Sequence, residues 1–313
     1  DERLGRLEKW IESHDFKGYE PFDGLTSFLL PLTGNSRTAR QVLQQAVRRS
    51  PLNLRPFLGV KPLDSTKGRG YVAWGYLKRY RLTNDAIFRE KALDCLDWLD
   101  KNRSPLYAGH SWGNHFTYSS RSGHIPKDVS TVVWTGLIGQ VFLEAYALFG
   151  RPRDLEIIGS IADWVMALPR EDTDRGSCLS YIMPSQRSIH NSNMIGAAFL
   201  AGAAAVTGDE AHRNVARRAM EYSCSRQLED GAWYYGEAKK HHWIDVFHTG
   251  YKLEALRRYR DFSGDTSFSA VLEKGYGFFK RHFFEPSGRV RYYHDRARPI
   301  DIQCASQAID TLC

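Results

Sequence analysis

The feature that most constrains the fold is a helix-ending signal followed at once by a helix-starting signal, which recurs five times. Each instance is a Gly or Asn typical of a helix C-terminus, followed by an Asn, Ser, Asp or Pro typical of a helix N-terminus. The five instances are residues 32–36, 82–85, 149–152, 206–209 and 262–265. Helical hairpins repeated at a period above about 50 residues predict a solenoid or a closed ring.

Counting the helices favours the ring. First helices are predicted to start near Asp23, Lys67, Asp128, Asn193, Phe247 and Asp301. Second helices are predicted to start near Arg37, Asp85, Pro152, Asp209 and Asp265. Residues 3–13 form a second helix without a first, and residues 301–312 a first helix without a second. The two complete each other if the chain ends meet, so the sequence predicts an all-α (α/α)6 toroid, closed by its N-terminal and C-terminal helices.

Composition supports one globular domain, 1–313, because no Ser- or Pro-rich linker interrupts the repeat. A hydrophobic content of 42% suits a large core and excludes a disordered or collagen-like chain. The longest apolar stretch, 194–206, is too short to cross a bilayer, so we expect no membrane span.

The cysteines indicate the compartment. Five scattered cysteines without a Cys-x-x-Cys pattern favour a reducing, cytoplasmic location. No signal peptide is visible, although the chain begins at Asp1 without Met, so a trimmed N-terminus stays an alternative.

The charge pattern favours an acidic ligand over nucleic acid. The net charge is +7, but the basic residues are scattered, and no Lys/Arg tract or nucleic-acid-reading motif is present. In a toroid, the six inner helices would point their N-termini at one mouth, where backbone N–H groups favour anions. The long loops that precede those helices are expected to line this mouth and to carry the function. They are residues 18–22, 51–67, 104–128, 172–193, 228–247 and 285–301.

The richest of these loops runs into the fifth inner helix. Asp245 and His248 stand three residues apart at a helix start, so they share a face. A carboxylate beside an imidazole sets its tautomer and raises its basicity, as acid–base catalysis requires. We therefore predict His248 and Asp245 as catalytic, with His190 and Tyr235 as further acid–base candidates. A lone structural His and a metal site formed by His242, Asp245 and His248 are the alternatives; no metal or cofactor is expected.

The remaining polar and aromatic loop residues are predicted to bind substrate. Arg296 would clamp a carboxylate, with pairing to Asp295 as the alternative. Helix capping is the alternative for Asp128 and Asp301. The full predicted substrate-binding set is Asp23, Lys67, His115, Asp128, Asn191, Trp243, Tyr293, Arg296, Asp301 and Gln303.

Three segments resemble a known family. They are residues 18–25 (Gly-Tyr-Glu-Pro-Phe-Asp-Gly-Leu), 243–250 (Trp-Ile-Asp-Val-Phe-His-Thr-Gly) and 299–303 (Pro-Ile-Asp-Ile-Gln). Together they resemble bacterial toroid proteins of exopolysaccharide and capsule clusters, the polysaccharide biosynthesis (VpsJ-like) family, over nearly the whole chain. More distantly, the fold is similar to N-acylglucosamine 2-epimerases, the C-terminal region of glucuronyl C5-epimerases, unsaturated glucuronyl hydrolases and the toroids of polysaccharide lyases. The resemblance implies a pathway rather than a defined reaction.

A second resemblance concerns residues 227–233, Gln-Leu-Glu-Asp-Gly-Ala-Trp, which look like the Gln-Trp repeat of triterpene cyclases. The motif occurs once and the acid motifs of those cyclases are absent, so a role in ending the repeat is favoured over a cyclase.

These observations predict a carbohydrate-active enzyme of bacterial polysaccharide metabolism that acts on an anionic or amino sugar by epimerase- or lyase-type proton abstraction. Hydrolysis of uronyl glycans and non-catalytic glycan binding or assembly are the alternatives. The oligomeric state is left open.

Overall fold

The structure is a computed structural model that describes residues 2–120, 123–183 and 185–313. It forms two compact units, Asp1–Ser130 and Thr131–Cys313, which are described separately. The predicted single domain 1–313 therefore stays a prediction.

The described residues of the first unit form four α-helices and two small antiparallel sheets. The helices are α1 (Glu2–Ser13), α2 (Arg37–Arg49), α3 (Thr66–Thr83) and α4 (Ala86–Lys101). Strand β1 (Lys17–Gly18) pairs with β2 (Leu63–Asp64), and β3 (Tyr118–Ser120) pairs with β4 (Gly123–Ile125). Helices α3 and α4 pack against each other, and α1 is attached through Glu8, which pairs with Arg79 of α3 and Lys91 of α4.

The first helix predicted near Asp23 is wrong as an α-helix. Two 3-10 turns, Asp23–Thr26 and Leu30–Thr33, stand there instead. Pro31 has no backbone N–H, so a continuous α-helical hydrogen-bond ladder could not run through this segment.

The second unit alternates inner and outer helices. Its helices are α5 (Val132–Phe149), α6 (Pro152–Met166), α7 (His190–Thr207), α8 (Glu210–Cys224), α9 (Val246–Ser263), α10 (Ser269–His282) and α11 (Ile302–Leu312). Helices α5, α7, α9 and α11 contact one another in that order, and α6, α8 and α10 each pack on the helix that precedes them. A short hairpin of β5 (Arg170–Thr173) and β6 (Gly176–Leu179) lies against α8. This is the two-layer helix arrangement that the repeat predicts.

The tight turns follow the predicted chemistry with one exception. Asn84, Gly150, Gly208 and Gly264 end their helices in the left-handed region, at φ between 53° and 75°. Asp265, however, does not start a helix: α10 begins at Ser269, and the Asp265 carboxylate accepts from Ser267 and Tyr259 instead.

The long loops of the second unit lie at one rim. The residue that precedes each inner helix pairs with the loop leading to the next inner helix, as Thr131 does with Ile182, Ile189 with Gly236, and Asp245 with Tyr293. The N-termini of α5, α7 and α9 therefore share this rim, as predicted. Closure of a ring by α1 and α11 stays a prediction.

Helix α5 is the one helix among the described residues that is long and apolar enough to cross a membrane. It is mostly buried and packs against α6 and α7, as a core helix does.

Candidate active site

The candidate site is built on the N-terminus of α9. Asp245 caps this helix by accepting the His248 backbone N–H at 2.7 Å, and its other oxygen lies 2.7 Å from His248 Nδ1. The Asp245 side chain is only 2% exposed, whereas that of His248 is 25% exposed. The carboxylate is therefore held inside while the imidazole reaches the surface.

Two aromatic residues complete the surroundings of this pair. Trp243 Nε1 donates to Asp245 Oδ2 at 2.8 Å, and the Tyr235 ring stacks on Trp243 with centroids 4.5 Å apart. The Tyr235 ring also meets His248 at 4.5 Å in an edge arrangement. Because Asp245 accepts from both Trp243 and His248, its orientation is fixed from two sides.

The protonation of the pair follows from this geometry. Burial opposes ionisation of Asp245, but the charge and hydrogen bonds of His248 outweigh it and lower the pKa of the carboxyl group. An ionised Asp245 accepts a hydrogen bond from His248 Nδ1–H, so in the neutral imidazole Nε2 carries the lone pair. Among the described residues, Nε2 has no hydrogen-bond partner, and it can accept or deliver a proton.

Lys252 was missed by the sequence analysis, although it lies one turn after His248. Its ammonium group is buried and donates to the carbonyl oxygens of Trp233 at 3.2 Å and Tyr234 at 3.1 Å. Desolvation lowers the pKa of Lys252 to about 7, against the opposing effect of Asp245. The available signal was a single Lys in the apolar helical pattern of α9.

His190 lies at the start of α7, and both of its ring nitrogens have hydrogen-bond partners. Its Nε2 is 2.7 Å from Glu237 Oε1, its Nδ1 is 3.3 Å from Ser223 Oγ, and the side chain is buried. Burial lowers the pKa of His190. With both ring nitrogens engaged, His190 fits a supporting role, and the catalytic role stays a prediction.

The second predicted cluster lies beside the first. The Val246 N–H donates to the Tyr292 carbonyl at 3.0 Å, and Asp245 pairs with Tyr293 through the backbone. The Arg296 guanidinium lies 4.4 Å from the centre of the Tyr293 ring and 4.0 Å from Asp295, and its side chain is 63% exposed. The alternative pairing with Asp295 is present, but it is long and leaves Arg296 accessible to an anion.

Three other residues predicted to bind substrate lie at the starts of α7 and α11. Asp301 caps α11 by accepting the Gln303 N–H at 2.9 Å, and Gln303 is exposed. Asn191 is buried beside His190, and its Oδ1 has no hydrogen-bond partner within the described part of the chain. A substrate-binding role stays a prediction for all three.

Four predicted residues belong to the first unit. Asp23 is buried, and Arg55 Nε lies 2.9 Å from both of its oxygens. Asp128 does not cap α5, because it stands in the loop at a φ of 64° and Thr131 is the cap. Burial lowers the pKa of both Lys67 and His115, which are half-buried.

The metal alternative lacks geometric support. His242 is exposed, stacks on Tyr234 and places Nε2 at 3.0 Å from the Glu237 carbonyl oxygen. Among the described residues, no group of three His, Cys, Asp or Glu converges as metal ligands.

The Gln-Trp segment ends a repeat, as favoured from the sequence. Gln227 Nε2 donates to the carbonyls of Gly231 and Val271, and the buried Trp233 donates to that of Ser223. Gly231 has a φ of 98° and lies against the Lys274 backbone, where a Cβ atom would be 2.4 Å from the carbonyl oxygen.

The sequence matches no protein-family model and no curated protein. Its fold is similar to that of a glycoside hydrolase of family 76 from a bovine Bacteroides thetaiotaomicron strain, with a TM-score of 0.54 and 11% identity over 80% of this chain. This chain spans 56% of that protein's length.

Two further solved structures resemble the chain. A cellobiose 2-epimerase from Spirochaeta thermophila DSM 6192 matches with a TM-score of 0.59 and 12% identity, covering 94% of this chain and 88% of that one. A D-mannose isomerase matches with a TM-score of 0.55 and 11% identity, covering 73% and 63%. These similarities confirm the predicted fold class, the all-α (α/α)6 toroid.

Proposed function

We propose that this protein is a carbohydrate-active enzyme that moves a proton to or from a sugar carbon, in the manner of an epimerase. The observation that carries the proposal is the Asp245–His248 pair, whose buried carboxylate leaves an imidazole nitrogen accessible at the rim. General acid–base catalysis needs such a group within reach of substrate. Solved sugar epimerases and an isomerase with the same fold support the substrate class.

Proton abstraction is favoured over hydrolysis by the state of the carboxylates. Hydrolysis of a glycosidic bond commonly uses two carboxyl groups that flank the bond. Of the carboxylates that contact a histidine at this rim, Asp245 is committed to His248 and Trp243, and Glu237 to His190 and Arg226. Histidine is therefore the group that these surroundings leave available for proton transfer.

An anionic sugar is the proposed substrate. The exposed Arg296 guanidinium beside the Tyr293 ring could receive a carboxylate, and the net charge of +7 attracts one. We place the reaction in bacterial polysaccharide metabolism on the resemblance of residues 18–25, 243–250 and 299–303, and the reduced-thiol pattern favours the cytoplasm.

The test is deuterium incorporation, followed by NMR in D₂O over a panel of uronate and N-acetylamino-sugar glycans. We expect enzyme-dependent deuterium at one sugar carbon, and its loss in His248→Ala, while His212→Ala behaves like the wild type. His212 is the matched control because it also stands three residues after a capping Asp, at the start of the outer helix α8.

The other outcomes separate the alternatives. New reducing ends without exchange would replace the proposal with a hydrolase, and an unsaturated product would assign a lyase. Binding without any product, retained in His248→Ala, would assign a non-catalytic glycan-binding protein.

A further inference from the structure

Lys252 is a buried cation that takes no direct part in the proton transfer proposed for Asp245 and His248. Its side chain is 1% exposed, lies on α9, and has its Nζ 5.8 Å from the centre of the Trp233 ring. Burying an ammonium group costs free energy, and an apolar side chain of similar volume would avoid that cost. Its position therefore calls for a role other than stability.

The hydrogen bonds of Lys252 hold a defined segment, residues 233–243, which we name the site loop. Its two acceptors, the carbonyls of Trp233 and Tyr234, immediately precede Tyr235. The Tyr235 N–H donates to the Trp243 carbonyl at 2.9 Å, and its carbonyl accepts the His190 N–H at 3.1 Å. Lys252 thus supplies the attachment on the N-terminal side of Tyr235.

We infer that Lys252 is a positioning residue that holds the site loop so that Tyr235 and Trp243 keep Asp245 and His248 in place. The inference deepens the proposed function and rests on it for its effect on turnover. Because Trp243 donates to Asp245, and Tyr235 covers both Trp243 and His248, a displaced site loop would disturb the pair directly.

Lys252 also acts electrostatically on two groups that it does not touch. Burial has the larger effect on the pKa of Asp245, at the start of its own helix, and on that of His190, at the start of the neighbouring α7. The charge of Lys252 adds a smaller lowering of both pKa values, beside the effects of His248 on Asp245 and of Glu237 and Arg226 on His190. One buried cation therefore influences both the Asp245–His248 pair and the Glu237–His190 pair. This gives the role a signature that can be measured without substrate.

The experiment compares Lys252→Met, which lacks both donors and charge, with Lys252→Gln, whose amide still donates but is neutral. Lys280→Met is the control, because Lys280 is an exposed lysine that lies over the Tyr276 ring on α10. The readouts are the Trp243 indole N–H resonance, the NMR titration midpoint of His190, and kcat and KM for deuterium exchange.

In Lys252→Met, we expect a shifted Trp243 resonance and a kcat lowered by about tenfold to a hundredfold. Its His190 midpoint should change by the balance of two opposite effects, the lost lysine charge and the displaced Glu237 carboxylate. Lys252→Gln should restore the Trp243 resonance and much of kcat, and its His190 midpoint should lie above the wild-type value because Glu237 stays in place while the charge is lost. Lys280→Met should match the wild type.

An unchanged Trp243 resonance in Lys252→Met together with an unchanged His190 midpoint in Lys252→Gln would overturn the inference, whatever the activity. If both signals respond and the wild-type protein exchanges deuterium into none of the sugars, the positioning role stands and the proposed function fails.

Discussion

The starts of α8 and α9 carry the same local motif, an Asp cap followed three residues later by His, with opposite burial. At α9, Asp245 is 2% exposed and His248 is 25% exposed. At α8, Asp209 is 45% exposed and His212 is 9% exposed, with His212 Nε2 at 3.7 Å from the carboxylate. The inner helix therefore offers an imidazole held by a buried carboxylate, whereas the outer helix buries its imidazole and exposes the acid.

The segment before each helix explains the difference. A tight turn at Gly208 precedes α8 and leaves Asp209 in solvent, where backbone hydrogen bonds from Ala211 and His212 lower its pKa. The site loop precedes α9 and covers Asp245 with Trp243. The same helix-start chemistry thus becomes a candidate active site only where a long loop lies over it.

The largest effect that would sharpen this comparison is on turnover. His248→Gln should lower the exchange rate by about 10²–10⁴, because the proton-transferring group is lost. His212→Gln should leave turnover unchanged, since His212 lies at an outer-helix start. Equal losses in the two variants, measured by NMR exchange in folded protein, would contradict the comparison.

The next prediction compares the two capping carboxylates, Asp245 and Asp209. Asp245→Asn should lower turnover by about 10²-fold or more, because an amide no longer fixes the His248 tautomer. Asn caps a helix about as well as Asp, so the fold should survive. Asp209→Asn is the matched control and should leave activity unchanged; wild-type turnover in Asp245→Asn would reject the orienting role.

A third difference is Lys252, the lysine buried one turn after His248 on α9. The pKa of Lys252 is about 7 in the folded protein, below the ordinary value of about 10.4 for an unfolded chain. Between these values the unfolded state binds the extra proton, so the free energy of unfolding should rise with pH by up to about 1.4 kcal/mol per unit. Below pH 7 both states bind the proton, and this group contributes no slope.

Urea unfolding of the wild type and Lys252→Met at pH 7, 8 and 9 measures this contribution. Other titrating groups are common to both proteins and cancel in the difference. Parallel stability curves would show that Lys252 titrates normally.

The smallest effect concerns capping alone. Asp209→Ala should reduce the free energy of unfolding by about 1 kcal/mol, the usual value of an exposed cap. Asp245→Ala should cost more, because the Trp243 indole and the His248 imidazole lose their buried acceptor. Equal losses in thermal or urea unfolding would mean that Asp245 is only a cap.

Much of the fold could be predicted because turn chemistry is local. Gly and Asn at helix ends, with Asp, Ser or Pro after them, marked four of the hairpins of the repeat. The repeat predicted an α-helix near Asp23, because the hairpin signal at 32–36 is present. Two 3-10 turns stand there instead, since Pro31 interrupts the backbone hydrogen bonds that an α-helix before that signal would need.

The site was predictable in part. Asp245 and His248 were found together because helical spacing fixes which residues share a face. Lys252 was missed, because the carbonyls that it binds belong to residues 18 and 19 positions earlier in the chain. The hydrogen bonds from His190 to Glu237 and Ser223 likewise join distant segments, so the sequence could not show that both ring nitrogens have partners.

By itself the sequence determined the helical repeat, the class of fold, and the residue types and helix starts where acid–base chemistry could occur, since capping, turn conformation and helical periodicity act over a few residues. The tertiary structure decided which of two similar Asp–His motifs buries its carboxylate, which histidine keeps an accessible nitrogen, and where the buried lysine places its charge. Burial and long-range hydrogen bonding depend on what packs over a residue, and that is settled only when the loops and helix layers come together.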